Sequence, residues 1–169
     1  MSIKAKIAVL VLALAFVCHG CGVYSFSGAS IPAEAKTVSV AYFPNHAQLI
    51  NPLLSDSFTT ALRDAMMNQT PLDLVDENGD VAFEGEITGY TTMPVAITAA
   101  QTAAMNRLTI TVKVRFSNRF DESKDFEQSF SHYEDYPSEQ DLIAVQENLT
   151  AVIIEALVED IFNKALVNW

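Results

Sequence analysis

The run Asn106-Arg-Leu-Thr-Ile-Thr-Val-Lys-Val-Arg-Phe-Ser-Asn118 decides how this chain folds. Leu108, Ile110, Val112, Val114 and Phe116 fill every even position. Arg107, Thr109, Thr111, Lys113, Arg115 and Ser117 fill every odd one, and Arg119 continues the odd set. Successive side chains of a strand point to opposite faces. A strict period of two therefore marks a strand that is buried on one side and wet on the other. A sheet with one apolar face needs a second layer to cover it, and the neighbouring sequence supplies one.

Downstream, a turn at Arg119 to Ser123 leads into a partner strand, Asp125 to Tyr133, with Phe126 and Phe130 inward. Pro137-Ser138 then opens a helix, with Ser138 and Asp141 in near-capping-box spacing. Leu142, Val145, Leu149, Val152, Ile153, Ala156, Leu157 and Ile161 give its apolar side, out to about Ala165. Upstream of the central strand lies an Ala, Thr and Gln loop over residues 95 to 104. Before it, Val81 to Met93 alternates. Val81, Phe83, Ile87 and Met93 share one face, and Glu84, Glu86, Thr88 and Tyr90 share the other. Gly85 and Gly89 fall on the apolar side, where a helix would approach closely. The turn Asp76-Glu77-Asn78-Gly79-Asp80 ends a short strand over Leu72 to Val75.

A first helix is signalled by Asn51 as cap and Pro52 at the first helical position. Leu54, Phe58, Ala61, Leu62, Ala65 and Met66 carry it to near Asn68. Thr37 to Phe43 is a first strand, stopped by Pro44-Asn45. The expected class is α+β: a two-layer sandwich whose mixed, mostly antiparallel sheet of four to five strands carries two helices on one face. One domain, residues 36–169, contains all of it.

The remaining residues read as an address. Lys4 and Lys6 precede eleven unbroken apolar residues, Ile7 to Val17. A membrane-spanning helix needs about 20, so the run suits the h-region of a secretory leader over residues 1–20. It ends in Cys18-His19-Gly20-Cys21-Gly22. A small residue before a thiol resembles the cleavage site of bacterial lipoproteins, with Cys21 receiving the acyl chains. The usual Leu three residues ahead of that Cys is replaced by Cys18. An ordinary cleaved leader with incidental cysteines is the alternative. Residues 21–35, rich in Gly, Ser, Ala and Pro, then form a lipidated tether. Val23, Tyr24 and Phe26 are too apolar for a plain spacer, so part of it is expected to pack on the domain.

Composition narrows the function. The 169 residues carry 10 Lys+Arg against 21 Asp+Glu, a formal charge of −11, and loss of Lys4 and Lys6 makes it more negative still. An acidic chain is a poor nucleic-acid binder, because that affinity rests on neutralising phosphates. With 2 Cys and 3 His, no disulfide scaffold or zinc cluster is expected. No HExxH, CxxC, GxSxG or phosphate loop is present. Asp76, Glu77 and Asp80 lack calcium-loop spacing, and Glu84 with Glu86 reads as surface. The expectation is a protein without catalysis, cofactor or metal. One feature stands out: Arg107, Lys113, Arg115 and Arg119 gather half the cations left after the leader into one row. Such groups suit phosphate recognition. The plainer reading is cross-strand pairing, with Arg115 opposite Glu127 and with Glu84 and Glu86 on the other neighbouring strand.

Several stretches, in their order and spacing, resemble the LptE family of lipopolysaccharide-assembly lipoproteins. They are Cys21-Gly-Val-Tyr-Ser-Phe-Ser-Gly28, Lys36-Thr-Val-Ser-Val-Ala-Tyr-Phe-Pro-Asn45 and Phe83-Glu-Gly-Glu-Ile-Thr-Gly-Tyr90. Arg107 to Phe116, Asp125-Phe-Glu-Gln-Ser-Phe130 and Glu159-Asp-Ile-Phe-Asn-Lys164 continue them. The chain is similar to a divergent branch. The resemblance implies a two-helix sandwich and a lipid anchor at Cys21 on the periplasmic face of a Gram-negative outer membrane. It also implies a domain that plugs and helps assemble the LptD β-barrel and contacts lipopolysaccharide during its insertion in the outer leaflet. Only Cys21 is carried over as a site residue. The row from Arg107 to Arg119 is a separate candidate contact for lipopolysaccharide or barrel.

A lipid-anchored activator of a periplasmic cell-envelope enzyme fits the anchor and the missing catalytic set equally well. The tether separates the two. At about 15 residues it spans roughly 20 Å as a flexible coil, which favours a partner at the membrane.

Overall fold

The computed structural model describes residues 31–32, 34–49, 51–95 and 104–167. The leader, Cys21, the tether before Ile31, most of the Ala/Thr/Gln loop and Trp169 lie outside these residues.

Seven main elements follow one another: β1 (Thr37–Val40), α1 (Leu54–Gln69), β2 (Asp73–Val75), β3 (Val81–Val95), β4 (Met105–Asn118), β5 (Phe126–Pro137) and α2 (Leu142–Leu166). A single turn of 3₁₀ helix, Glu122–Lys124, joins β4 to β5. The sheet order is β2-β1-β3-β4-β5. β1 runs parallel to β2 and β3, while β3, β4 and β5 form an antiparallel meander. This is the α+β sandwich expected from the central strand, with a mixed sheet of five strands and two helices over one face.

The core lies between the layers. Leu108, Ile110, Val112 and Val114 are fully buried, as their even spacing requires. From α1 come Leu54, Phe58, Leu62 and Met66, one residue per turn, and from α2 Ile153, Leu157 and Ile161 at the same spacing. Phe43 meets Phe58 edge to face with ring centres 5.1 Å apart. Arg63 fastens α1 to β1, donating from Nε and Nη2 to the Val40 carbonyl at 3.2 and 2.8 Å. Ala35 is buried and Ile31 is packed against the core, so the fold gathers in the last residues of the expected tether.

Three sequence expectations need correction. β3 does not keep one alternation. Ile87 pairs with Val112 but Gly89 with Thr111, so Thr88 is an extra residue, a bulge. Past it the faces exchange: Tyr90 is inside at 1% exposure and Met93 is outside at 66%. Gly85 accommodates the Phe43 ring and the Lys113 carbonyl rather than a helix, and Gly89 meets Thr111. Both helices also start later than their prolines suggest. Asn51 forms a turn of its own, accepting from Leu53 N at 3.2 Å, and α1 begins at Leu54. Pro137 still belongs to β5 opposite Met105, and Asp141 is the true cap of α2, accepting from Ile143 N at 3.1 Å. β5 is an edge strand, where a proline costs no ladder bond.

β1 stops at Val40, leaving one further bridge from Asn45 to Ile87. Among the described residues, β3 beyond that bridge is paired only with β4. Pro94 sits on this free stretch, where it weakens the edge as a template for another strand.

Candidate functional site

The helices leave the second face of the sheet open. It is built from the odd residues of β4 and their partners on either side. Arg107 stands between Met93 and Asp135, Thr109 between Thr91 and Tyr133, Lys113 between Glu86 and Ser129, and Arg115 between Glu84 and Glu127. Every charge on this face has a reason in the register.

Arg107 forms the best-defined unit. Its Nε donates to Asp135 Oδ1 at 2.7 Å and its Nη2 to Oδ2 at 2.9 Å. The guanidinium carbon lies 3.6 Å from the centre of the Tyr133 ring. The hydrogen bond to Asp135 raises the Arg107 pKa, and in return Arg107 holds the Asp135 carboxyl below its usual range. Asp135 takes two of the guanidinium's five N–H donors and the Tyr133 ring covers one of its faces, so the group is held in place on the sheet.

Lys113 and Arg115 share a shallow hollow of about 290 Å³ with Pro44, Glu84, Gly85, Glu86 and Glu127. Lys113 Nζ pairs with Glu127 Oε1 at 2.5 Å. That contact raises the lysine pKa and lowers the glutamate's. Arg115 Nη1 is held loosely, 3.9 Å from Glu84 Oε2, with both side chains mostly exposed. Arg115 and Glu127 are opposite each other along the backbone, as expected, yet Glu127 reaches diagonally to Lys113 while Arg115 turns to Glu84, its direct partner on β3. Pairs this exposed contribute little to stability. His46 Nδ1 lies 2.7 Å from Glu86 Oε2 beside them.

The row is therefore not one site. Lys113 and Arg115 are brought together, Arg107 is engaged toward the far end of β4, and Arg119 lies past the strand, exposed in the β4–β5 turn. Sequence reading missed the Arg107–Asp135–Tyr133 unit. The register that sets Arg115 opposite Glu127 already implied it, since counting outward along the hairpin pairs 107 with 135.

The lower edge of the sheet is locked by Asp80. Its Oδ2 accepts from Lys36 N at 2.9 Å, Thr37 N at 3.1 Å and Thr37 Oγ1 at 2.9 Å. These bonds, the one from Lys36 N first, lower the Asp80 pKa. The acidic turn is thus a clasp between β1 and β3. Among the described residues no three His, Cys, Asp or Glu side chains are placed to hold a metal ion. The helix layer carries an open groove of about 700 Å³ between α1 and α2, lined by Ala61, Ala65, Ile154, Val158 and Phe162 among others.

Comparison with solved structures places this architecture among known folds. The chain is similar to a minor lipoprotein from Acinetobacter baumannii, at 15% identity and TM-score 0.51, over 77% of this chain and 91% of that one. It is also similar to hypothetical protein CT253 from Chlamydia trachomatis, at 9% identity and TM-score 0.53, over 79% and 99%. At such identities the likeness is one of fold. No curated protein matches the sequence. The family model described as LptE, lipopolysaccharide-assembly, matches residues 35–165. That span starts just before β1 and ends within the last turn of α2, and the chain belongs to the LptE family.

Proposed function

We propose that the protein is a non-catalytic outer-membrane lipoprotein that plugs and helps assemble an LptD-type β-barrel and takes part in lipopolysaccharide transport to the outer leaflet. The family match over residues 35–165 carries this reading. In it, residues 1–20 are the export signal, Cys21 takes the acyl chains, and residues 21–35 link them to the domain. Among the described residues no helix is long and apolar enough to cross a membrane. Attachment is through the acyl chains, at about 0.8 kcal/mol per buried CH₂.

The open sheet face supports the barrel role. It is largely polar and its charges are mostly paired, so it can lie against a wet lumen wall with few unpaired ions. Lipopolysaccharide contact is secondary. Of the two cations in the hollow, Arg115 is held more loosely than Lys113, and a phosphate reaching it must also pass Glu84 and Glu127. Photo-crosslinkers at Thr109 and Ser129, both on the open face, test the reading in intact cells. An adduct with a large β-barrel is expected. Adducts with a cell-envelope enzyme instead would overturn it.

A further inference from the structure

The end of the domain where the chain enters carries an exposed aromatic on a rigid mount. The β4–β5 turn is pinned by Asn118 N to Asp125 Oδ1 at 2.7 Å and Phe120 N to Asn118 Oδ1 at 3.0 Å. Arg119 N to Asp80 O at 2.9 Å ties it to the clasp. Yet Phe120, near its tip, is left 47% exposed beside an exposed Arg119. Pro32, at the chain's entry, lines the same cavity of about 250 Å³ as Ser123, Lys124, Phe126 and Lys164. Lys164 lies 5.8 Å over the Phe126 ring, in the last turn of α2.

We propose that this turn is a membrane-contact surface: Phe120 enters the headgroup–acyl boundary of the leaflet, while Arg119 and Lys164 meet lipid phosphates. The inference rests on acylation at Cys21. From Cys21 to Ile31 the chain reaches about 33 Å when fully extended, so this end of the domain stays within reach of the bilayer. An aromatic flanked by long cations suits an interface that is apolar below and anionic above. Three nearby carboxylates accept hydrogen bonds from the domain's own donors: Asp80 from Lys36 and Thr37, Asp125 from Asn118, and Asp121 from Ser123. Glu122 is exposed. With these acids present the contact is mainly apolar, and it should depend only weakly on salt.

The test uses the full-length protein with Trp169→Phe and Phe120→Trp, leaving one indole in the chain. It is reconstituted into vesicles of phosphatidylethanolamine and phosphatidylglycerol, with and without brominated acyl chains. The indole emission should shift to the blue and fall markedly with the brominated lipid. A Thr109→Trp control on the open sheet face should not respond. Emission typical of water, unchanged by bromine in a protein whose mass shows the acyl chains, would overturn the surface. A mass without acyl chains would remove the anchor instead. The same vesicles then still decide: bromine quenching supports the surface, and none overturns it.

Discussion

The Arg107 guanidinium and the Asp135 carboxylate face each other across β4 and β5 through two parallel bonds of 2.7 and 2.9 Å. The relationship turns the most conspicuous cation of the open face into a structural group. A double-mutant cycle with Arg107→Ala and Asp135→Asn should give a small coupling in urea unfolding, shrinking as salt is added, because both side chains are partly in water. A large, salt-insensitive coupling would mean that the pair is shielded by more than the Tyr133 ring.

Acid should loosen the sheet. Asp80, Glu127 and Asp135 all have lowered pKa values, caused first by hydrogen bonds from Lys36 N, Lys113 and Arg107 respectively. A carboxyl depressed on folding adds stability above its unfolded pKa and loses it as pH falls through the folded value. Unfolding free energy should therefore drop from neutral pH toward about pH 3. Asp80→Asn should lower stability at neutral pH and flatten that decline. An unchanged slope would remove Asp80 as the clasp.

The glycines of β3 should differ sharply. A methyl group at Gly85 would fall on the Lys113 carbonyl oxygen and the Phe43 ring. Gly85→Ala is expected to cost about 1–3 kcal/mol, the usual range for overpacking. At Gly89 the nearest atom is Thr111 Cβ at 3.1 Å on the open face, where there is room to yield. Gly89→Ala should cost less than about 1 kcal/mol. Equal costs would contradict the bulge placed between the two glycines.

The bulge makes a second prediction. Tyr90 is buried at 1% exposure, and among the described residues its hydroxyl has no hydrogen-bond partner. A buried unsatisfied donor costs about 1–3 kcal/mol. Tyr90→Phe should thus raise the unfolding free energy by about 1 kcal/mol. Met93→Ser, on the exposed side, should change it by less than about 0.5 kcal/mol. A costly Met93→Ser paired with a near-neutral Tyr90→Phe would restore the uninterrupted alternation.

That alternation shows what could and could not be read in advance. β4 was legible because its ten residues from Arg107 to Phe116 never break period two, and burial follows them without exception. β3 was legible only to Ile87. One inserted residue leaves the composition of the run unchanged while moving every later side chain to the other face. Pro137 misled for a related reason: proline is a helix starter by habit, but an edge strand tolerates it, and edge position is a property of the sheet. Among the site residues, the cross-strand register was readable from the turn near Asp121. The diagonal choice of Lys113 for Glu127 was not, because long side chains reach past their direct partners.

Charge reversal separates the two ligands proposed for the open face. Lys113→Glu with Arg115→Glu should weaken lipopolysaccharide binding while the barrel complex survives. Unchanged binding would eliminate the hollow as a headgroup contact, and loss of the barrel complex would assign it to the barrel instead.

The barrel partnership itself is tested most directly by purifying the tagged protein from gently solubilised outer membranes and weighing what comes with it. A domain enclosed by a barrel buries far more than the roughly 1,600 Å² of an ordinary interface, so the complex should withstand mild detergent. The account predicts one large β-barrel in near one-to-one ratio. Recovery of the protein alone, or with a cell-envelope enzyme in place of the barrel, would contradict it.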